Sequence, residues 1–505
     1  MSGLALFSAN RDRWLIGIFK LGQMGRFSSA AAAPASPRNL AIPQTTRPLY
    51  TGLEGMGTAK RVLDTADIAW RALRERRIPY LPLEMLTRLQ SDRVRAIVRH
   101  AYETVPFYRE AMDERRLRPQ DFRSATDLAQ LPIVDGSAVQ ERPEQFASSA
   151  RKGVQSLHST GTAGLGRRCV LWDDDALLGQ VATGGRDRAV LYGLLGKHWG
   201  LRRLSLFPAE STTRASLRYQ HERIHVPRFV RQTRYVPLGL PYDDVVEEIN
   251  RFRPEVVYSY GSVAEHLCRY VADRGMVFRA PRVWVYGADR LSEEGRSLIR
   301  ERWGCGILST YQSVEGGRMG FLCERDEGFH LNVDVCAIRI VDRDGRDVPA
   351  GESGEVVISN LVNRATVLLN YRQGDRGALS APASCRCGRT LPLLERLEGR
   401  TSEVLRLADG REVLDNALAH ACKEVLKGII QFQIVEERRG SFRWRIVPAT
   451  GVDREPLVAA LRARAFDVLG PRDDLTIEIV DRLEVPEGGK LLRVVRQAPP
   501  PSPSS

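Results

Sequence analysis

Three groups of residues have the types and spacings that chemistry requires. The segment His158-Ser159-Thr160-Gly161-Thr162-Ala163-Gly164 compresses hydroxyls and glycines into one short loop. Glycines let successive backbone N–H groups converge, and Ser and Thr add short donors, which suits a polyphosphate. No Gly-Lys-Ser/Thr follows, so it is not a Walker loop; a plain turn before a strand is the other reading. The second group is Cys323 and His330 with Cys385 and Cys387, spaced Cys-x6-His and Cys-x-Cys. Three thiolates and an imidazole make a closed tetrahedral set of the structural zinc kind. His330 and Cys385 are 55 positions apart in the chain, so only the fold can unite the two pairs; four unrelated residues is the alternative. The third group is polar residues at turns: Glu315 after Tyr311-Gln312-Ser313-Val314, Asp375 closing Tyr371-Arg372-Gln373-Gly374, Arg400 after Gly399, and Lys490 after Gly488-Gly489. A carboxylate can share a hard cation with phosphates, and a lysine on its flexible stem can follow developing charge. Taken singly, each also reads as a solvated turn residue.

The elements that must position these residues show in the hydrophobic pattern. Apolar residues at three- and four-residue spacing predict amphipathic helices over 58–77 and 84–104. Beyond the glycine-rich loop, short apolar runs at 202–207, 255–260, 282–286 and 306–311 read as strands. Helical stretches lie near 173–192, 242–252, 262–274 and 292–303. Strand–helix alternation argues for an α/β sheet with helices on its faces. From 329 to 360 the helices vanish, and the turn signals Asp342-Arg343-Asp344-Gly345 and Ala350-Gly351-Glu352-Ser353-Gly354 mark a small β region. Another change comes near 400. Strands at 403–407, 411–414, 429–436, 441–447 and 475–480, with helices at 415–427 and 455–469, predict a compact α+β domain. No internal repeat is present.

Composition bounds the rest. A chain of 505 residues can hold two or three domains. A net charge of +13 fits anionic partners, or simply a solvated arginine-rich surface. The basic residues are dispersed, without the long block or aromatic interleaving of a nucleic-acid binder. No run reaches the roughly 18 apolar residues that span a bilayer. Eight scattered cysteines do not form a secreted disulfide framework, and a reducing, cytoplasmic setting fits them better. Residues 1–47 hold six Lys/Arg, one acid and an Ala/Ser/Pro run, and read as a disordered or targeting-like extension. The Pro/Ser-rich tail 498–505 reads as disordered.

The glycine-rich loop, the Tyr311-to-Glu315 run, the Tyr371-to-Asp375 run, Gly399-Arg400 and Gly488-Gly489-Lys490 occur in an order and at separations that resemble the adenylate-forming ligases. The resemblance is to the phenylacetate–CoA ligase branch with its capsule-biosynthesis relatives, and it runs from about Arg93 to about Val494. It implies a large multi-layer α/β domain over 48–399 with a small β region, and a small mobile α+β domain over 400–497. It implies ATP-dependent carboxylate activation through an acyl-adenylate, followed by thioester formation with CoA. A non-CoA acceptor and a non-catalytic nucleotide-binding relative are the alternatives. The resemblance makes Lys490 the adenylation lysine, gives Glu315 the Mg²⁺ and sets Tyr311 near the adenine. Asp375 receives the ribose and Arg400 the nucleotide hydroxyls and phosphate. Ser159, Thr160, Gly161, Thr162, Ala163 and Gly164 would cradle pyrophosphate, with Thr160 also catalytic. Gly287, Ala288 and Ser313 join the nucleotide site, and Tyr260, Gly261 and Ser262 the acyl pocket, where one ring and small neighbours suit an aromatic or flat acid. Cys323, His330, Cys385 and Cys387 match positions that hold structural zinc in some members. The implied partners are a small carboxylic acid and CoA or another acceptor, with a homodimer as a further expectation and no nucleic acid. The chain departs from the pattern at Gly287-Ala288, where relatives often have Gly-Glu, and at Asn370, where an Arg is common. It also departs at Val134-Asp135-Gly136, which lacks a Lys, at Arg339, near a commonly acidic position, and at Ser402, in place of a hinge Asp.

Overall fold

The computed structural model describes residues 58–159, 168–209, 211–226, 229–381, 385–400, 404–483 and 493–496. The expected extension at 1–47, Thr160 to Gly164, Ser402, Lys490 and the 498–505 tail lie outside the described residues.

Local signals set the element boundaries. The helix Leu83–Thr104 buries Leu86, Val94, Ile97, Val98 and Ala101, the three- and four-residue spacing of one face. It ends at Val105 because Pro106 cannot donate to it, and that proline opens the next helix, Pro106–Glu114. The expected helix over 173–192 is two, Asp174–Thr183 and Gly185–Leu195, broken at Gly184. Asp173 caps the first by accepting from Ala176 N–H at 2.9 Å.

Eleven strands form one sheet. Its first half is parallel and made of β3 (Leu201–Phe207), β4 (Arg231–Pro237), β5 (Val256–Ser259), β6 (Val283–Gly287) and β7 (Gly306–Ser313), in the order β4-β3-β5-β6-β7. Side chains alternate across it with period two. Leu204, Leu206, Val257, Trp284 and Ile307 face the helices Tyr242–Phe252, Gly261–Asp273 and Glu293–Trp303. Leu201, Val256, Val283, Val285 and Leu308 face the helix Gly185–Leu195, giving three layers. Burial of each such side chain stabilises by roughly 1.5–3 kcal/mol. From β7 onward the pairing is antiparallel, through β8 (Gly317–Leu322), β9 (Phe329–Leu331), β10 (Cys336–Val341), β11 (Gly354–Asn360), β12 (Tyr371–Leu379) and β13 (Leu393–Arg400). The β region expected at 329–360 is thus continuous with the main sheet. A separate hairpin, β1 (Val154–His158) with β2 (Cys169–Asp173), brackets the glycine-rich loop.

Arg186 ties the layers together. Its buried guanidinium forms two 2.8 Å bonds to Asp334 and others to Asn332 at 2.9 Å and Glu75 at 2.7 Å. It therefore links the helices Thr58–Glu75 and Gly185–Leu195 to the β9–β10 connection.

Beyond residue 404 the chain builds a second core around Trp444, Leu405, Leu461 and Phe442. A hairpin of β14 (Val404–Arg406) and β15 (Glu412–Leu414) precedes β16 (Ile429–Arg438), β17 (Ser441–Pro448), β18 (Asp474–Ile479) and β19 (Val494–Arg496), which pair in the order β18-β17-β16-β19. The helix Gly261–Asp273 receives this part: Arg493 lies 3.3 Å from Glu265, and Thr450 N–H donates to Asp273 at 2.8 Å.

Candidate active site

The parallel strands end together, and their carboxyl ends open into a cavity of about 260 Å³. Open α/β sheets bind ligands there, at the point where strand order reverses; here β3 has β4 on one side and β5 on the other. Ser159, Gly287, Ala288, Ser313, Glu315 and Arg400 all line this one cavity, as does Tyr260.

Tyr311 and Asp375 sit buried at its edge, on β7 and β12. The Tyr311 hydroxyl donates to Asp375 Oδ2 at 2.8 Å. Burial pushes the Tyr311 phenol far above its ordinary range, and the Asp375 charge adds to this, so it stays a donor. Arg400 lies opposite Asp375 in the β12–β13 register, its Nε 3.5 Å from Oδ1. A carboxylate has up to about four acceptor positions, the capacity that two vicinal hydroxyls need.

Glu315 sits in the turn between β7 and β8, and only 4% of it is exposed. The turn is fixed by its backbone: Asn360 Nδ2 donates to the Glu315 carbonyl at 2.8 Å, and Trp172 Nε1 to the Val314 carbonyl at 2.8 Å. Glu315 Oε1 is buried, takes no hydrogen bond among the described residues, and stands 3.5 Å from Arg168 Nε, which likewise makes none. A buried carboxylate oxygen without a donor beside an equally unsatisfied guanidinium nitrogen fits a shared cation and phosphate. Arg168 was not singled out from the sequence. It follows the glycine-rich loop, where its backbone N–H donates to Ser159 Oγ at 3.1 Å, closing the base of the β1–β2 hairpin. A Cβ on Gly136 would overlap the Arg168 guanidinium, so the glycine after Val134-Asp135 makes room for this cation.

Gly261 and Ser262 do not line the cavity. They open the helix Gly261–Asp273, and both backbone N–H groups and the Ser262 hydroxyl are directed to the carboxylate of Asp289. Only Tyr260 of the expected acyl trio fronts the space. Two of the departures touch each other: Arg339 Nη1 donates to Asn370 Oδ1 at 2.6 Å. Asn370 also adopts φ 53°, a left-handed conformation that asparagine tolerates better than most residues.

The four candidate metal ligands converge. Their donor atoms all lie within 4.8 Å of one another. Cys323 Sγ is 3.7 Å from Cys385 Sγ, and Cys387 Sγ is 3.3 Å from His330 Nε2. Zinc–sulfur bonds of about 2.3 Å and zinc–nitrogen bonds of about 2.0 Å give tetrahedral edges close to these separations. Backbone N–H groups of Arg325 and Arg389 donate to Cys323 and Cys387 at 3.3 and 3.5 Å. Burial, with help from Arg389, pulls the His330 imidazole down to about 4, so it is neutral, as a ligand must be. Burial opposes ionisation of Cys387, but hydrogen bonds and charge from Arg389 outweigh it and lower the thiol.

No protein-family model matches the chain. It is 28% identical over 388 residues to a phenylacetate-coenzyme A ligase of Thermus thermophilus, covering 72% of this chain and 80% of that one. The phenylacetate-coenzyme A ligase of Escherichia coli is 26% identical over 387 residues, covering 71% and 80%. Protein CapK of Staphylococcus aureus is 22% identical over 247 residues, covering 48% and 53%. In sequence the chain is thus similar to phenylacetate-coenzyme A ligases over most of their length, and to CapK over about half of its length. The fold agrees: a crystal structure of 2-hydroxyisobutyryl-CoA ligase in the postadenylation state superposes with a TM-score of 0.68 at 16% identity, covering 83% of this chain and 91% of that one.

Proposed function

We propose that this chain activates a carboxylic acid with ATP and passes the acyl group to CoA. A carboxylate oxygen attacks the α-phosphorus, the bond to the β-phosphate oxygen breaks, and acyl-AMP and pyrophosphate form. The thiol of CoA then attacks the acyl carbon, AMP leaves, and a thioester results. The observation carrying this reading is the Tyr311–Asp375–Arg400 array beside buried Glu315, at the carboxyl ends of the parallel strands. It is supported by relatives named phenylacetate-coenzyme A ligase that the chain matches over most of their length.

In this reading Asp375 accepts the ribose hydroxyls, Arg400 meets hydroxyls and phosphate, and Tyr311 lies by the adenine with Gly287, Ala288 and Ser313 around it. Ser159 and the loop Thr160 to Gly164 cradle the leaving pyrophosphate through their donors. Glu315 would hold Mg²⁺, which when bound neutralises phosphate charge. Lys490 meets charge developing at the reacting carboxylate and α-phosphate. Zinc held by Cys323, His330, Cys385 and Cys387 is structural, because four protein donors leave no open position. The part beyond residue 400 acts as the small mobile domain. A homodimer in the cytoplasm belongs to the same reading, to be checked by sedimentation and localisation of tagged protein.

The test is pyrophosphate release from ATP over a panel of acids, with and without CoA. Acid-dependent release with AMP and thioester as products is expected. Release without thioester would move the reading to another acceptor. No release with any acid, together with no AMP binding, overturns it. Lys490→Ala is expected to slow acyl-AMP formation about a hundredfold or more, with far less effect on thioester formation from supplied acyl-AMP.

A further inference from the structure

The cavity has a second end with an unusual charge. Beneath the helix Gly185–Leu195, against β3, β4 and β5, it is lined by Arg188, Arg203, Arg231 and Arg318, with Asp187 as the one acid among the described residues there. Arg188 and Arg318 crowd the same space: a Cβ on Gly184 would stand 2.8 Å from Arg188 Nη1 and 3.0 Å from the Arg318 guanidinium carbon. Arg318 lies 3.3 Å from Asp187. Arg188 donates to the Val181 carbonyl at 3.0 Å. Arg203 stacks its guanidinium 3.8 Å over the Tyr258 ring and donates to Ser205 Oγ at 3.1 Å. The Arg231 side chain makes no hydrogen bond or ion pair among the described residues. Four cations thus share one carboxylate in a half-buried space.

Such an arrangement is costly without an anion. Burial draws Arg203 down to about 10, and repulsion from Arg231, Arg318 and Arg188 adds to it while Tyr258 opposes. Arg188 and Arg231 are lowered as well, again chiefly by burial. The reacting carboxylate is a poor candidate for that anion. It loses its charge on becoming an acyl-adenylate, so holding it in an arginine cluster would favour the ground state over the transition state. The phosphate-facing end is defined by Ser159, Arg168 and Glu315 instead.

We propose that the acid activated by this chain carries a second, non-reacting anionic group, a carboxylate, sulfonate or phosphate, held by Arg188, Arg203, Arg231 and Arg318. Guanidinium groups recognise such oxyanions through paired N–H donors. The inference rests on the acid-activation reading and narrows its substrate class. It adds a second charge to the aromatic or flat acid expected from Tyr260 and its small neighbours.

Calorimetric titration of the full chain at saturating AMP tests it, with benzoate against 4-carboxybenzoate, 4-sulfobenzoate and 4-phosphonobenzoate, and valerate against glutarate. At least one doubly anionic acid is expected to bind tenfold or more tighter than its singly charged partner, and the three substituents show which oxyanion is favoured. Arg231→Gln and Arg203→Gln should erase that advantage while AMP affinity holds. Arg231 lies on the edge strand β4 with no side-chain partner among the described residues, so its variant is the one expected to fold unimpaired. Absence of any advantage for the doubly charged acids overturns the inference. So does a loss of ATP affinity in these variants as large as the loss for the dianion, which would assign the cluster to the triphosphate. Failure of the wild-type chain to bind AMP at all is a different result and falls on the adenylation reading.

Discussion

At the scale of single residues, Glu315 and Asp375 are both buried carboxylates, one lining the cavity and the other at its edge, and their surroundings differ. Asp375 is held by Tyr311 and faces Arg400; Glu315 presents an oxygen without a hydrogen bond to Arg168. Their variants should therefore fail differently. Asp375→Ala is expected to weaken ATP and AMP alike by roughly 1.5–3 kcal/mol, the scale of a hydrogen bond to a charged group. Glu315→Gln should leave AMP binding nearly intact and raise the Mg²⁺ needed for turnover. Titration with AMP in the absence of Mg²⁺ separates them, and equal losses would return Glu315 to the adenosine pocket. Both residues could be picked from the sequence because each ends a short motif, although Asp375 lies within β12 and not in the turn expected for it, because pairing with β13 carries the strand through its glycine. Arg168 could not, since one arginine after a glycine-rich loop looks like any other in an arginine-rich chain. The cluster of Arg188, Arg203, Arg231 and Arg318 was equally hidden: its members come from a helix and three strands, and only the sheet brings them together.

At the scale of elements, two sets of side chains hold pieces of chain that have no adjacency in sequence. Cys323 follows β8, His330 lies on β9, and Cys385 and Cys387 lie between β12 and β13. Purified protein is expected to contain about one zinc per chain. Cys385→Ser should lower zinc content and melting temperature together, and metal-free protein of unchanged stability would rule the site out. Arg186 is the second set. Arg186→Met would leave Asp334, which is fully buried, with Arg93 at 3.1 Å as its one charged partner among the described residues. Breaking a buried ion pair from one side costs about 3–5 kcal/mol, so urea unfolding should show a loss of that size; a change under about 1 kcal/mol would mean the network is dispensable. The sequence made four of the five parallel strands, and the helices near 173–192, 242–252, 262–274 and 292–303, legible because their apolar periods are clean; it did not reveal β4, the edge strand, on which only Val236 is buried. It did not reveal β12 and β13, whose residues include Arg372, Gln373, Asp375, Arg376, Glu395 and Glu398. Their pairing is set by neighbours in the sheet, which override such a weak local pattern. The helix Thr212–Arg223 was missed for a related reason: only Tyr219 on it is a buried aromatic or aliphatic side chain.

At the scale of the whole molecule, the question is what holds the part beyond residue 404 against the large sheet. Glu265 is the hub. It is buried on the helix Gly261–Asp273, accepts from the Ser292 N–H and hydroxyl at 3.1 and 2.7 Å, and pairs with Arg269 at 3.0 Å and with Arg493 at 3.3 Å. Gly295 leaves the space its carboxylate fills, since a Cβ there would come within 2.7 Å. Burial opposes its charge, but Arg493, Arg269 and the Ser292 donors overcome this and hold the carboxyl at about 2, against an ordinary 4.5. A carboxylate whose pKa falls on folding contributes fully above its unfolded value and loses that contribution as the pH drops toward its folded one. Arg493→Met removes the arm that reaches from the small core while leaving Arg269 and Ser292 in place. Wild type should exceed this variant in stability by about 1.5–3 kcal/mol at pH 7, the scale of a charge-assisted hydrogen bond. That difference should stay level down to about pH 4.5 and shrink between there and pH 2, because protonated Glu265 has no charge to give Arg493. Urea unfolding at pH 7, 5 and 3 measures it, and limited proteolysis after residue 400 reports whether the small core has come away. A difference that widens as the solution is acidified would mean that Arg493 acts through some other group, and Glu265 would no longer be the contact that joins the two parts.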